Sequence, residues 1–177
     1  MANLSKAAAK VTGAARAIGK ALSGYPAIMR HLAGEHGEVA TLMKRVAASS
    51  SEDSELREEL FAEIRTSLLA HARAEEKEFY EPLREFPQTV SFLPQAVEDH
   101  RTIETYLGRL DAESCATDAW LTTFQALMRT VEAHVEREEN QLFPAAKSVL
   151  DSQTAERMNE RYEATEEREK ERIAGDR

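Results

Sequence analysis

Residues 71–83 have the sequence HARAEEKEFYEPL, and residues 134–144 have the sequence HVEREENQLFP. In both segments a histidine is followed four residues later by the first of two glutamates, and an aromatic residue and a proline come next. The single histidines His36 and His100 each follow an acidic residue, so they form a second matching pair. The two segments are 63 residues apart and the two single histidines 64 residues apart. The chain is therefore predicted to contain two similar helical hairpins that pack face to face.

Four segments carry an apolar residue at every third or fourth position, as on the buried face of an amphipathic helix. These helices are predicted for residues 26–46, 55–82, 94–110 and 119–144. On each apolar face the polar interruption begins with a histidine; His36, for example, stands between Leu32 and Val39. No segment has the alternating pattern of a strand. The sequence therefore predicts an all-α protein with one histidine of each helix turned toward the core.

The histidines and glutamates at these matched positions form a candidate metal site. A buried imidazole requires a polar partner, and a buried unpaired carboxylate costs still more free energy. Residues four apart on a helix project from the same side, about 6 Å apart along the axis. His71 can therefore bind one ion while Glu75 reaches toward a second, and His134 and Glu138 can do the same. Mixed imidazole and carboxylate ligands suit non-haem iron or manganese better than closed tetrahedral zinc.

A metal-free bundle with four hydrogen-bonded core histidines is the alternative interpretation. The matched heights of the imidazoles, two of them followed by glutamate at the same offset, favour the metal site. His31 lies about 140° around the helix from His36 and is not expected to be a ligand. The acidic neighbours of the candidate ligands and two nearby tyrosines are expected to be surface or packing residues: Glu35, Glu76, Asp99, Glu139, Tyr80 and Tyr106. For Glu35 and Asp99 the alternative is a hydrogen bond that orients a metal ligand.

Together with GEHGEVATLM at 34–43 and EDHRTIETYL at 98–107, the two repeated segments resemble the hemerythrin-like HHE cation-binding domains. The resemblance covers about residues 25–150. It implies an up-down-up-down antiparallel four-helix bundle around two iron ions, an oxo- or hydroxo-bridged di-iron centre that manganese or zinc can also occupy. The ligands carried over position by position, with the two glutamates as bridges, are His36, His71, Glu75, His100, His134 and Glu138.

The third helix departs from the pattern of the oxygen-carrying hemerythrins. These proteins have a second histidine four residues after the first one in that helix, and Glu104 occupies this position here. The carrier's five-histidine site is therefore not reproduced. Glu104 is a candidate seventh metal ligand, and the alternative is a flank residue beside Ile103 that reaches solvent. Ferritin-like proteins fit less well, because they use Glu-x-x-His pairs and further glutamates.

The two ends of the chain differ from the bundle in composition. Residues 1–24 are rich in alanine and carry basic but no acidic residues, so they are predicted to form a basic N-terminal arm. This arm is expected to fray or dock on the bundle, and a membrane-surface helix is the alternative. Residues 25–150 are the predicted bundle, and residues 151–177 are predicted to be a charged C-terminal helical tail that packs lightly.

Composition excludes several classes of protein. The formal net charge of −9 argues against a nucleic-acid partner, because phosphates would repel the chain. The single cysteine rules out an internal disulfide framework and a cysteine-based zinc site. No apolar stretch has the length of a membrane span. A cytoplasmic location is the default expectation.

The scaffold predicts three related functions. The leading one is binding or sensing of O2, or of NO or peroxide, at an open metal position. The alternatives are iron storage, sensing or donation, and a redox enzyme that acts on peroxide or NO. Glu104, Tyr80 and Tyr106 are the only candidates for a dedicated acid–base group, so whether the chain is an enzyme stays open. The sequence also leaves a homo-oligomer open.

Overall fold

The computed structural model describes residues 24–175, and this part of the chain is helical without a strand. The first four long helices follow in the predicted order, and α1 packs against α2 and α4 while α3 packs against α4. The predicted all-α helical bundle is confirmed. The basic arm expected for residues 1–24 lies, apart from Gly24, outside the described residues. The long helices are α1 (Ala27–Ala47), α2 (Ser54–Glu75), α3 (Leu93–Asp111), α4 (Asp118–Arg137) and α5 (Ser152–Gly175).

Local sequence explains where these helices begin. Thr117 is the N-cap of α4, and its hydroxyl oxygen accepts a hydrogen bond from the backbone N–H of Trp120. A short 3-10 turn, Ser51–Asp53, precedes α2 and begins with a capping box between Ser50 and Asp53. Pro26 directly precedes α1, and α3 has a proline in its first turn. These bounds lie within one or two residues of the predicted starts.

Both repeated segments contain a π-helical turn that sequence periodicity did not predict. Glu76–Tyr80 continues α2 and Glu138–Leu142 continues α4, and short α-helical stretches follow at Glu81–Leu83 and Phe143–Lys147. The residue before each proline donates its backbone N–H to the carbonyl five residues earlier. Proline has no N–H, and its ring would clash with the carbonyl four residues earlier in a regular α-helix. We attribute the widened turns to Pro82 and Pro144.

The hydrophobic core consists of two clusters with a polar layer between them. One cluster contains Phe79, Phe143 and the residues of α1 before His36. The other contains the residues of α1 after His36 and the aromatic pair Phe61 and Trp120, whose ring centroids are 5.6 Å apart. The polar layer is thus enclosed by apolar side chains at both ends of the bundle.

Helix α5 packs against α1 and α2, and the expectation of light packing was wrong. Its apolar face carries Met158 and Tyr162, both almost fully buried. Thr165 and Arg161 also donate hydrogen bonds to the carboxylate of Glu78 in the first π turn. The apolar edge consists of few residues, yet these residues are buried where the helix packs against α1 and α2. Within residues 24–175 no helix combines the length and the apolar character that crossing a membrane requires.

Candidate metal centre

Six side chains from four helical segments meet in the polar layer. At most 8% of the surface of any of them is exposed. The donor atoms of one set lie within 4.8 Å of one another, and those of a second set that shares Glu75 do so as well. The first set is His36, His71 and Glu75, and the second is Glu75, His100 and His134. The sixth residue, Glu138, lies between the two sets.

Each glutamate contacts one histidine of each set. Oε2 of Glu75 lies 3.5 Å from Nε2 of His71 and 3.4 Å from Nε2 of His100. Oε2 of Glu138 lies 3.5 Å from Nε2 of His36 and 3.4 Å from Nε2 of His134. The centre therefore offers two possible metal positions. Each is faced by two imidazoles, and both carboxylates would span the two positions.

The unsatisfied polar atoms of this layer fit a bound cation. Nε2 of His36, Nε2 of His71, Oε1 of Glu75 and Oε2 of Glu138 are buried and have no hydrogen-bond partner among the described residues. A buried polar atom without a partner costs about 1–3 kcal/mol, and more when it is charged. A pair of cations would satisfy all four atoms at once. Imidazole and carboxylate donors suit iron and manganese.

Acidic residues hold the outer nitrogen of three of the four imidazoles. Nδ1 of His36 lies 3.0 Å from Glu139, Nδ1 of His71 lies 2.8 Å from Glu35, and Nδ1 of His100 lies 2.9 Å from Glu76. Asp99 lies 3.6 Å from Nδ1 of His134, beyond hydrogen-bond distance. A carboxylate at Nδ1 fixes the tautomer in which Nε2 is free to bind a metal.

These four acids were expected to be mainly surface residues, and Glu76 and Glu139 are indeed partly exposed, but all four also face an imidazole of the centre. Each one is adjacent in sequence to a candidate ligand on its own helix, yet it contacts a histidine of a neighbouring helix. The helix rotation that turns a ligand inward also places its neighbour at the helix–helix boundary. Their regular position beside four of the six candidate ligands was the available signal.

Tyr80 was expected to be a packing or surface residue, but it lies inside the centre. The side chain is fully buried, and its hydroxyl lies within hydrogen-bond distance of both Glu75, at 2.8 Å, and Glu138, which share its single proton. Burial and the charges of Glu138 and Glu75 hold the pKa of Tyr80 well above its usual value, so the phenol keeps its proton. The π turn changes the helix register and so brings this hydroxyl into the centre. Sequence periodicity alone could not predict this position.

The carboxylates change the protonation of the imidazoles they contact. Burial lowers the pKa of His100, but hydrogen bonds to Glu75 and Glu76 outweigh it and raise the pKa to about 9. Burial likewise opposes protonation of His71, while the charge of Glu75 and the hydrogen bond to Glu35 hold its pKa well above the usual value. Protons therefore occupy part of the centre when no cation does, and a cation must displace them.

Glu104 is the one candidate ligand that the structure does not bring to the centre. Its side chain is 63% exposed and lies 3.7 Å from the guanidinium of Arg73 on the surface. Ile103 takes the inward position on α3 and is buried, so the next residue along the helix is directed outward. The interpretation of Glu104 as a seventh ligand is corrected to the solvent-exposed flank residue. Tyr106 is also remote, with Arg109 over its ring.

His31 lies outside the cluster, in agreement with the sequence-based expectation. Its Nε2 is 3.3 Å from Glu35 and its Nδ1 is 3.1 Å from Glu163 of α5. It therefore supports Glu35 from the side away from His71. Within the described part of the chain, His31 makes no direct contact with any of the six central residues.

A cavity of about 640 Å³ connects the centre with the surface. All four central histidines line it, and the exposed residues Gly34 and Lys44 lie at its outer part. Its inner walls are largely apolar and include Val39, Leu68, Ile103 and Val131. A small molecule can therefore reach the imidazoles through a cavity that is lined by these apolar side chains and also by charged ones such as Glu166 and Lys170.

Residues 27–146 match the family model described as the hemerythrin HHE cation binding domain. The match includes α1 to α4 and all six central residues, whereas α5 lies beyond it. No curated protein and no solved structure matches the chain significantly. Because the family model spans most of the chain and every helix that contributes to the polar layer, the protein belongs to the hemerythrin family of HHE cation-binding domains.

Proposed function

We propose that the protein holds two iron ions in the polar layer and uses them to bind or sense O2, NO or peroxide. The ligands are His36, His71, Glu75, His100, His134 and Glu138, with both glutamates as bridges. The observation that carries the proposal is the set of buried donor atoms without partners at the meeting point of four helices. Six protein donors shared by two ions leave coordination positions for a small ligand. Bound iron supplies the electrons and the open position that such a ligand requires.

The side chains around the centre have definite roles in this proposal. Glu35, Glu76 and Glu139 orient three of the imidazoles. The apolar walls of the cavity limit water at the centre while they admit a small neutral molecule. The hydroxyl of Tyr80 holds a proton at the two bridging carboxylates.

Metal analysis of the purified protein and of three variants tests the ligand assignment. His71→Ala and Glu138→Ala are expected to lose most of the bound iron, because each removes a donor to one or both ions. His31→Ala is the matched control, since this histidine lies next to the centre without facing it, and it is expected to keep the wild-type content. Equal iron content in all three variants would contradict the assignment.

Admission of O2 to the reduced protein separates the possible roles. A reversible change in visible absorption supports ligand binding, and rapid irreversible oxidation supports a redox sensor or enzyme. Loss of iron to a mild chelator at neutral pH supports iron storage or donation instead.

An enzyme that reduces peroxide or NO is the second candidate, and Tyr80 is the observation that favours it. A hydroxyl that touches both bridging carboxylates is a proton-holding group, and Tyr80 was one of the three candidates for such a group in the sequence. Sustained consumption of peroxide or NO by the iron-loaded protein, lost in Tyr80→Phe but not in Tyr106→Phe, would support this candidate.

A further inference from the structure

The internal repeat allows the two halves of the centre to be compared within one chain. The first position is faced by His36 and His71, and the second by His100 and His134. One histidine of each position has the same environment at Nδ1. Nδ1 of His36 contacts Glu139 at 3.0 Å, and Nδ1 of its repeat counterpart His100 contacts Glu76 at 2.9 Å. At Nδ1 this pair therefore gives no reason for the two positions to differ, although Nε2 of His100 lies 3.1 Å from Nε2 of His134 and Nε2 of His36 has no hydrogen-bond partner among the described residues.

The other histidine pair has two different environments. Glu35 accepts a hydrogen bond from Nδ1 of His71 at 2.8 Å, whereas Asp99 lies 3.6 Å from Nδ1 of His134. The side chain of Arg137 holds Asp99 in place, with contacts of 2.6 and 3.2 Å to the same carboxylate oxygen. Nδ1 of His134 consequently has no hydrogen-bond partner among the described residues. The guanidinium both neutralises Asp99 and holds its oxygen away from the imidazole.

Among the described residues, Glu35 is held by a tyrosine of α5 and by His31 and not by an arginine. The hydroxyl of Tyr162 donates to Oε2 of Glu35 at 2.5 Å and lies 2.9 Å from Nδ1 of His71. The Tyr162 side chain is fully buried, so this contact is shielded from water. The neutral phenol orients the carboxylate oxygen that faces His71, and His31 lies 3.3 Å from the other oxygen, Oε1. An anionic acceptor at Nδ1 makes the imidazole a stronger metal ligand through Nε2.

We propose that Tyr162 is a positioning residue of the metal centre, which through Glu35 makes the His36–His71 position bind a divalent metal ion more tightly than the His100–His134 position. The inference rests on the proposed metal site and adds an order of filling and a difference between the two ions. It also assigns to α5, which lies beyond the family match, a part in the chemistry of the centre.

Anaerobic titration of the metal-free protein with ferrous ion tests the order of filling. The wild-type protein is expected to bind in two steps whose constants differ by about tenfold or more, because both imidazoles of the His36–His71 position have a carboxylate at Nδ1 and only one imidazole of the other position does. Tyr162→Phe keeps the ring and removes the hydroxyl, so the tighter constant is expected to weaken by about tenfold and the weaker one to stay. Tyr106→Phe, on the partly exposed tyrosine of α3, is the matched control and is expected to leave both constants unchanged.

Mössbauer spectroscopy of the protein loaded with two ferrous ions provides a readout that a structural role would not move. Two distinct quadrupole doublets are expected for the wild type, and one of them is expected to shift in Tyr162→Phe. Arg137→Gln is the reciprocal variant: it frees Asp99 and is expected to raise the weaker constant toward the tighter one. This arginine is 40% exposed, so the test does not depend on a buried substitution.

Two results would overturn the inference: identical constants and a single doublet in the wild type, or a Tyr162→Phe variant indistinguishable from Tyr106→Phe. Both results leave the metal site itself intact. Failure of the proposed function gives a different pattern, in which His71→Ala binds ferrous ion as tightly as the wild type.

Discussion

Replacement of Glu35 by glutamine is the sharpest test of how the acids around the centre act. Glutamine has nearly the same shape but no negative charge. Glu35 accepts hydrogen bonds from His71 at 2.8 Å and Tyr162 at 2.5 Å, and His31 lies 3.3 Å away. Burial raises the pKa of Glu35, but the hydrogen bonds from His31 and His71 outweigh it and hold the pKa well below the usual range. The residue is therefore an anion at neutral pH.

The expected loss follows from the role of the carboxylate at Nδ1 of His71. Removal of such a partner typically weakens metal binding by about 10- to 100-fold, which corresponds to about 1.4–2.7 kcal/mol. The affinity of Glu35→Gln is measured by competition with a chelator of known affinity, under anaerobic conditions with ferrous ion. Unfolding of the metal-free variant is recorded by circular dichroism to show that the bundle has formed.

Glu38→Gln is the control, because this exposed glutamate lies on the same helix nearly one turn away. It removes the same charge from α1 without touching an imidazole. A difference of less than about threefold between the two variants would refute the reasoning, since it would mean that bulk charge and not the contact to His71 sets the affinity.

Three further predictions concern individual residues. The pKa of His100 is raised to about 9 in the metal-free protein, so its contribution to stability is fully present below about pH 6.5 and lost as the pH rises through 9; thermal unfolding at pH 6 and pH 10 is expected to show a lower midpoint at pH 10. Tyr80→Phe removes the hydroxyl donor of two buried carboxylates and is expected to lower the free energy of unfolding of the metal-free protein by about 2–4 kcal/mol in denaturant titrations, with Tyr106→Phe near zero. Glu104→Gln is expected to keep full iron content by elemental analysis, because its carboxylate is 63% exposed; loss of iron would restore the seventh-ligand interpretation.

Sequence periodicity was sufficient to predict the helices and the face of each helix that is buried. A histidine that lies within the apolar face of a helix is turned toward the core together with that face. The four imidazoles could therefore be placed from the sequence. The repeat then indicated that they share one level. Side-chain spacing along a helix fixes these features because they depend on one helix at a time.

Features that depend on two helices were beyond this reasoning. The contact between Glu35 and His71 requires the relative rotation of α1 and α2, which a single-helix pattern does not define. Tyr80 reaches the centre because a π turn changes the register after Glu75, and the repeated proline was the only trace of that turn. Glu104 showed the opposite case: its spacing from His100 was correct for a ligand, but Ile103 took the inward position.

The close packing of α5 was also outside the reach of composition. Its sequence is mostly charged, and only a few apolar residues mark the face that meets α1 and α2. Several of its polar residues are used to anchor the helix, since Arg161 and Thr165 bind the buried carboxylate of Glu78. A charged helix was therefore mistaken for a solvated one, because polar contacts carry part of its attachment.

A crystal structure of the iron-loaded protein, with anomalous scattering recorded at the iron edge, tests the central claim most directly. Two anomalous peaks are expected in the polar layer, about 3.5–4 Å apart as in other two-metal sites. One peak should lie at Nε2 of His36 and His71 and the other at Nε2 of His100 and His134, with Glu75 and Glu138 between them. A single peak, or peaks at surface carboxylates away from these imidazoles, would contradict it.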